Sequence, residues 1–122
     1  MIRLEKFDQS DILKDLRSYE KYIEFWKNVK TSENKKPDIF FTSWLTGPCA
    51  IELKREGGKV KGGQLTQLKK LHSNGLRSFA VIGKKGYIKL KRKLRINEQN
   101  LKEAHERNMM IVGVWDERYY FK

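Results

Sequence analysis

The apolar positions change period several times along the chain, and each change marks an element. Ile12, Leu16, Tyr19, Ile23 and Trp26 recur at helical spacing behind Ser10, a good capping residue, with Asp11 in the first turn. This predicts a helix from Ser10 to near Val29; Met1 to Phe7 reads either as a strand or as an ordered lead-in. Thr31 to Lys36 is a polar loop, and Pro37 biases Lys36 towards an extended backbone. Ile39 to Leu45 and Cys49 to Lys54 flank the turn Thr46-Gly47-Pro48, which predicts a hairpin. A glycine-rich basic loop, Arg55 to Gly63, leads into a helix from Gln64 to Ser73. That helix has Leu65, Leu68 and Leu71 on one side and Lys69 and Lys70 on another, and Asn74-Gly75 stops it. Phe79 to Ile82 is unbroken apolar, as in a buried strand. Gly83-Lys84-Lys85-Gly86 reads as a turn. The alternation from Tyr87 to Leu94 reads as a strand with Ile88 and Leu90 inward and Tyr87, Lys89 and Lys91 outward. Asn97 caps a short helix to about Arg107. Met109 to Trp115 reads as a strand, Asp116 to Arg118 as a turn, and Tyr119 to Phe121 as a segment pairing back. Together these predict one α/β domain over residues 1–122, with a mixed central sheet flanked by helices.

Composition sharpens the picture at one point. The net charge is +12, and residues 1–33 contribute none of it, with seven Lys/Arg against seven Asp/Glu. The remaining twenty basic and eight acidic residues supply the whole excess. A balanced start beside a strongly basic body points to a polyanionic partner, and DNA fits better than an anionic membrane, because no basic helix has a broad apolar face. The apolar runs are too short for a membrane span, and the first residues lack a hydrophobic signal core, so an intracellular, cytoplasmic protein is expected. Cys49 is the single cysteine, which fits a reducing compartment and a small core residue. His72 and His105 have no paired ligand spacing and are expected on helix surfaces. No Walker loop, dinucleotide fingerprint, zinc cysteine set or G-x-S-x-G elbow is present, so no nucleotide cofactor is expected.

The candidate chemistry lies in the hairpin. In a strand, alternate side chains share a face, so Glu52 and Lys54 point together, away from Ile51 and Leu53. Strand pairing brings Asp38, at the mouth of the first strand, beside Glu52. Two neighbouring carboxylates suit a hard divalent cation such as magnesium or manganese. Lys54 can orient a water or stabilise charge on phosphorus. The plain alternative is an amphipathic hairpin with Glu52 and Lys54 as a solvated pair. Backbone of the glycine-rich loop can approach a phosphate, and Gln64, at a helix start, can donate to an acidic ligand, a water or phosphate. Seven basic residues and no acid lie between Lys84 and Arg95. They read either as edge-strand protection or as a phosphate track. The residues singled out for DNA contact are Lys59, Lys61, Lys69, Lys84, Lys85, Lys89, Lys91 and Lys93.

The order of these features resembles the VRR-NUC family of the PD-(D/E)xK nuclease superfamily. The features are Pro37-Asp38, the hairpin, Glu52-Leu53-Lys54, Gly57-Gly58-Lys59, Gln64, Gly75 and the strand Phe79 to Ile82, spanning Lys36 to Ile82. The resemblance implies a restriction-endonuclease-like fold and a metal-dependent DNA endonuclease. Asp38 and Glu52 would be its metal carboxylates, the Leu53 carbonyl a further ligand, Lys54 the catalytic lysine and Gln64 the motif glutamine. It also implies a substrate class, since small standalone members, common in phages, act as structure-selective nucleases on four-way junctions. Two opposed cuts need two sites, hence a homodimer. A first-helix acid is expected as well. Glu20 is chosen from its place beside the apolar stripe, ahead of Glu24 and Asp15. One departure is that the family's short strand between first helix and PD pair is missing where Thr31 to Lys36 reads as loop. The alternative function is a non-catalytic basic DNA-binding module that retains the nuclease fold.

Overall fold

The hairpin expected around the Gly-Pro turn forms the middle of the sheet. In the computed structural model, which describes residues 9–28, 37–54, 57–58, 62–108 and 120–121, strand β2 (Ile39–Thr42) pairs antiparallel with β3 (Cys49–Lys54). β2 stops at Thr42 because Ser43 starts a tight turn. The Ser43 hydroxyl accepts from the Thr46 amide at 3.1 Å, and the Gly47 amide donates to the Ser43 carbonyl at 2.8 Å. Gly47 takes a φ of 69°, which suits a residue without Cβ.

Ahead of the hairpin, the long first helix is not found. Helix α1 spans only Gln9–Arg17, and Ser18 to Ile23 form successive turns. Strand β1 (Glu24–Lys27) follows and pairs antiparallel with β2, with Trp26 opposite Phe40. Ile23 and Trp26 fit a helical stripe by spacing, but Tyr22, Ile23, Phe25 and Trp26 are residues that favour strands, and an available β2 edge decides between the two. Ile12, Leu16 and Ile23 are buried as the stripe requires, whereas Trp26 is 51% exposed. A strand between α1 and Pro37-Asp38 is therefore present, at Glu24–Lys27, ahead of the loop expected at Thr31 to Lys36. Thr31 to Lys36 lie outside the described residues.

After the hairpin, α2 (Gly62–Ser73) is the crossover that parallel strands need, and it delivers the chain to β4 (Arg77–Ile82), parallel to β3. Gly75 ends the helix turn with a φ of 96°. The sheet order is β1-β2-β3-β4-β5, the last strand being Tyr120–Phe121, parallel to β4. Tyr120 thus lies opposite Ala80 and Phe121 opposite Val81. The strand expected at Met109 to Trp115, the turn at Asp116 to Arg118 and the lead-in Met1 to Phe7 lie outside the described residues.

The largest correction falls at Gly83 to Leu94, where a single helix, α3 (Gly83–Leu94), replaces the expected turn and strand. Its buried residues are Tyr87, Leu90 and Leu94, a helical repeat, and Ile88, expected inward, is 38% exposed. Lys, Arg and Leu are good helix formers, so local preference agrees. The run therefore protects no sheet edge. Arg95 closes the helix in the left-handed region at φ 58°. Helix α4 (Glu98–Arg107) begins as expected, the Asn97 side chain accepting from the Asn100 amide at 2.8 Å.

Register places Ile39, Phe41, Cys49, Ile51, Phe79 and Val81 on one sheet face. They form one buried cluster with Ile12 and Leu16 of α1, Leu90 and Leu94 of α3, and Leu101 and Ala104 of α4. On the other face Ala50, Ser78 and Ala80 are buried and small, and α2 packs against β4 there. His72 of α2 is buried rather than on the surface. Its Nδ1 accepts from the Ser78 amide at 3.2 Å, and its ring meets Phe79 edge-on. His105 is exposed on α4, as expected. Among the described residues no helix is long and apolar enough to cross a membrane.

Candidate active site

The parallel strands β3 and β4 end at Lys54 and Ile82, next to the beginnings of α2 and α3. Open α/β sheets bind ligands at such an end, where helix N-termini add positive potential. Asp38 lies one step before β2, and the register Ile39 to Ile51 continues to set it opposite Glu52. Opposed residues in an antiparallel pair have Cα atoms roughly 5 Å apart.

Asp38 is held from several directions. Its carboxylate Oδ2 accepts from the Leu53 amide at 2.8 Å, while its carbonyl accepts from the Asn28 amide at 2.8 Å and from the Gln9 side chain at 3.4 Å. Glu52 is buried, only 2% exposed. Its Oε1 accepts from Gln64 Nε2 at 2.9 Å and lies 3.8 Å from Lys54 Nζ. A carboxylate taken out of water is costly unless hydrogen-bonded and neutralised. Gln64, in the first turn of α2, supplies the hydrogen bond, and Lys54, with 23% of its side chain exposed, supplies the charge. The fold thus brings Asp38, Glu52 and Lys54 together, as the hairpin reading expects, and sets Gln64 beside them.

A carboxylate has about four lone-pair positions and can share its oxygens between hydrogen-bond donors and a cation. The donor chemistry is hard oxygen throughout: Asp38, Glu52 and, beside them, the Leu53 backbone. Among the described residues no cluster of three or more His, Cys, Asp or Glu exists. Two carboxylates with water and backbone oxygen suit magnesium, which keeps several waters, better than a softer metal.

Glu20 is not borne on the first helix, which ends at Arg17. Glu20 is exposed in the turn after α1, its amide donating to the Arg17 carbonyl at 3.1 Å. Glu24 lies on β1 opposite Thr42, four positions from Asn28, or about 13 Å along the strand. Asp15 faces α3, where its Oδ2 accepts from Tyr87 Oη at 2.5 Å and from Lys91 Nζ at 2.8 Å. The residues that flank Asp38 instead are Gln9 and Asn28. Asn28 Nδ2 is buried with no hydrogen-bond partner. A helix read through Val29 hides Asn28, so no sequence signal could have found it.

The basic residues divide. Lys59 and Lys61 lie outside the described residues. Lys69 is exposed on α2, and Lys84, Lys85, Lys89 and Lys93 are exposed on α3. Arg92, also exposed, was missed, because only a helical period aligns it with Lys85 and Lys89. Lys91 does not join them. Its ammonium bonds Asp15 and, at 3.1 Å, the Tyr19 hydroxyl, over the Tyr19 ring. Burial works against that charge, but the bonds to Asp15 and Tyr19 outweigh it and hold the ammonium pKa above its ordinary 10.5. Burial likewise pushes the Cys49 thiol up to about 12, against smaller pulls from Thr46 and Arg77, so Cys49 is core and not a nucleophile. No family model matches the chain, and neither do curated proteins or solved structures.

Proposed function

We propose that this chain is a metal-dependent DNA endonuclease of the PD-(D/E)xK kind, VRR-NUC-like, with a restriction-endonuclease-like arrangement of its sheet and helices. The observation that carries this reading is the buried Glu52 carboxylate beside Asp38, held by Gln64 and faced by Lys54 at 3.8 Å. A module that only binds DNA gains nothing from two acids at the basic end of its sheet, which repel phosphate. Asp38, Glu52 and the Leu53 carbonyl would hold magnesium or manganese. When bound, the cation would polarise the scissile phosphodiester and lower the pKa of water. Gln64 keeps the Glu52 oxygens oriented, and the Leu53 amide does the same for Asp38. Lys54 is placed to orient the attacking water or to offset negative charge on the phosphate oxygens. The helix starts of α2 and α3 favour an anionic ligand at this edge.

Purified protein assayed on junction, flap, duplex and single-stranded DNA, with magnesium or manganese and with EDTA, tests the reading. Metal-dependent cutting of at least one substrate is expected. Metal-independent binding without cutting would favour the DNA-binding module instead.

The exposed face of α3 is the expected phosphate track. Replacing Lys85, Lys89 and Arg92 together by Gln should weaken DNA binding and flatten its salt dependence, each lost phosphate contact lowering the slope by about one. Lys91→Gln should leave the slope unchanged and lower thermal stability. The reverse pattern would return Lys91 to the track.

Resolving a four-way junction takes two opposed cuts and hence a two-fold homodimer. Light scattering at micromolar concentration should then give twice the chain mass of 14.5 kDa. A monomer both free and on junction DNA would remove the resolvase version and leave flap or single-strand cutting.

A further inference from the structure

The face of the sheet that carries Glu52 and Lys54 carries something else nearby. Trp26 and Phe40 are directly paired across β1 and β2, and their rings stack with centroids 5.6 Å apart and planes 9° from parallel. By register they share a face with Asp38, Ala50 and Glu52, and Phe40 lies two residues from Asp38, about 7 Å along the strand. The partner side of this face, over β4, is covered by α2, yet Trp26 keeps 51% of its surface exposed. An indole on an outer strand of the described sheet gains no burial there that its exposure would justify. It does gain a rigid position, because Phe40 supports one of its faces.

We propose that Trp26, backed by Phe40, is a stacking platform for an unpaired nucleobase of the DNA strand being cut. The occupant follows from chemistry and charge. A flat aromatic face with a second ring behind it suits a planar π-system. The protein carries a net charge of +12, so the ligand that brings such a ring to it is a polyanion. The Asp38–Glu52 pair, where the scissile phosphate would sit, lies one row of side chains away. Bases inside a duplex hide their faces in the stack, so only a single strand, a flap or an opened branch point can use the platform. The inference rests on the nuclease reading for the position of the cut, and it narrows the substrate to DNA with unpaired nucleotides beside the scissile phosphate.

The test measures anisotropy of labelled DNA in EDTA, with wild-type protein, Trp26→Ala and Trp26→Phe. The probes are a short oligothymidylate, an abasic oligomer of the same length and a blunt duplex. Trp26→Ala should weaken oligothymidylate binding about tenfold or more, the scale of one lost base stack. Duplex affinity should be unchanged, Trp26→Phe should keep most of the affinity, and on the abasic oligomer wild type and Trp26→Ala should bind alike. Equal affinity of wild type and Trp26→Ala for oligothymidylate would overturn the proposal. So would an equal loss on the abasic oligomer, or a halved mass in light scattering, which would make the platform a contact between copies. If Trp26→Ala fails to fold, wild-type protein binding the abasic oligomer as tightly as oligothymidylate would overturn it alone. The nuclease reading is judged separately, by whether wild type cuts any of the DNAs with manganese. Base-dependent binding without cutting would leave the platform standing and remove the nuclease.

Discussion

Glu52→Gln is expected to abolish metal-dependent DNA cleavage, lowering the rate on the order of a thousandfold or more, while DNA binding stays within about twofold. The substitution keeps the side-chain shape and a hydrogen-bonding oxygen that Gln64 can still reach. It removes only the negative charge, which a divalent cation needs. Asp38→Asn should behave alike and should fold, since its remaining oxygen can still accept from the Leu53 amide, now 2.8 Å from the carboxylate. Lys54→Met should lose about a hundredfold or more without losing metal binding, because a positive charge near the reacting phosphate contributes at that scale. Gln64→Ala should be milder than any of these. Its hydrogen bond to the Glu52 carboxylate contributes about 1.5–3 kcal/mol, less than the loss of a metal ligand, and burial of Glu52 adds to the cost. Single-turnover cleavage measured alongside calorimetric manganese binding separates the roles. Full activity in folded Glu52→Gln or Asp38→Asn would take that residue out of the mechanism.

Asp15→Ala should be the most damaging change outside the core and the site. Asp15 on α1 is the common acceptor for Tyr87 and Lys91 of α3; its removal takes the ion pair from Lys91, which keeps the Tyr19 hydroxyl, and a charged acceptor from the buried Tyr87 phenol. Losing such charge-assisted bonds costs about 1–3 kcal/mol, reduced here by the 31% exposure of the Asp15 side chain. A loss of about 2 kcal/mol would lower the melting temperature by roughly 5–10 °C for a domain of this size. The same cluster sets an alkaline limit. Burial first, and then the bond to Asp15, hold the Tyr87 phenol well above its ordinary 10.0, and Lys91 is also raised. A group whose folded pKa is raised contributes stability that is complete below its unfolded pKa and is lost as pH climbs towards the folded one. Stability should therefore decline from about pH 10 upwards, where unfolded tyrosine and lysine begin to lose their protons. Tyr87→Phe should flatten that decline. Denaturant unfolding between neutral and strongly alkaline pH measures it, and an identical alkaline slope in wild type and Tyr87→Phe would show that the cluster does not govern it.

Punctuation made the middle of the chain legible. Pro37, Gly47-Pro48, the glycine loop and Asn74-Gly75 mark where elements stop, and between them one period dominates. Asp38, Glu52 and Lys54 could therefore be placed together from the hairpin, and the family resemblance added Gln64. The errors fall where spacing serves two periods. Ile23 and Trp26 suit a helical stripe, but β2 offers an edge, and strand pairing prevailed. Ile88 and Leu90 alternate as in a strand, but Tyr87, Leu90 and Leu94 repeat as in a helix. What selected the helix includes a bond between Tyr87 and Asp15, 72 residues apart. Local sequence cannot weigh such a contact, because it exists only once α1 and α3 share the same sheet face. That packing also took Lys91 out of the basic face and brought Arg92 into view. Glu52 was legible as a candidate, but its burial was not, since burial depends on what the neighbouring β4 and α2 cover. The order of chemical groups along the chain is thus a property of the sequence. Their exposure, partners and charge environment come from tertiary packing, because desolvation and long-range hydrogen bonds are set by neighbours distant in the chain.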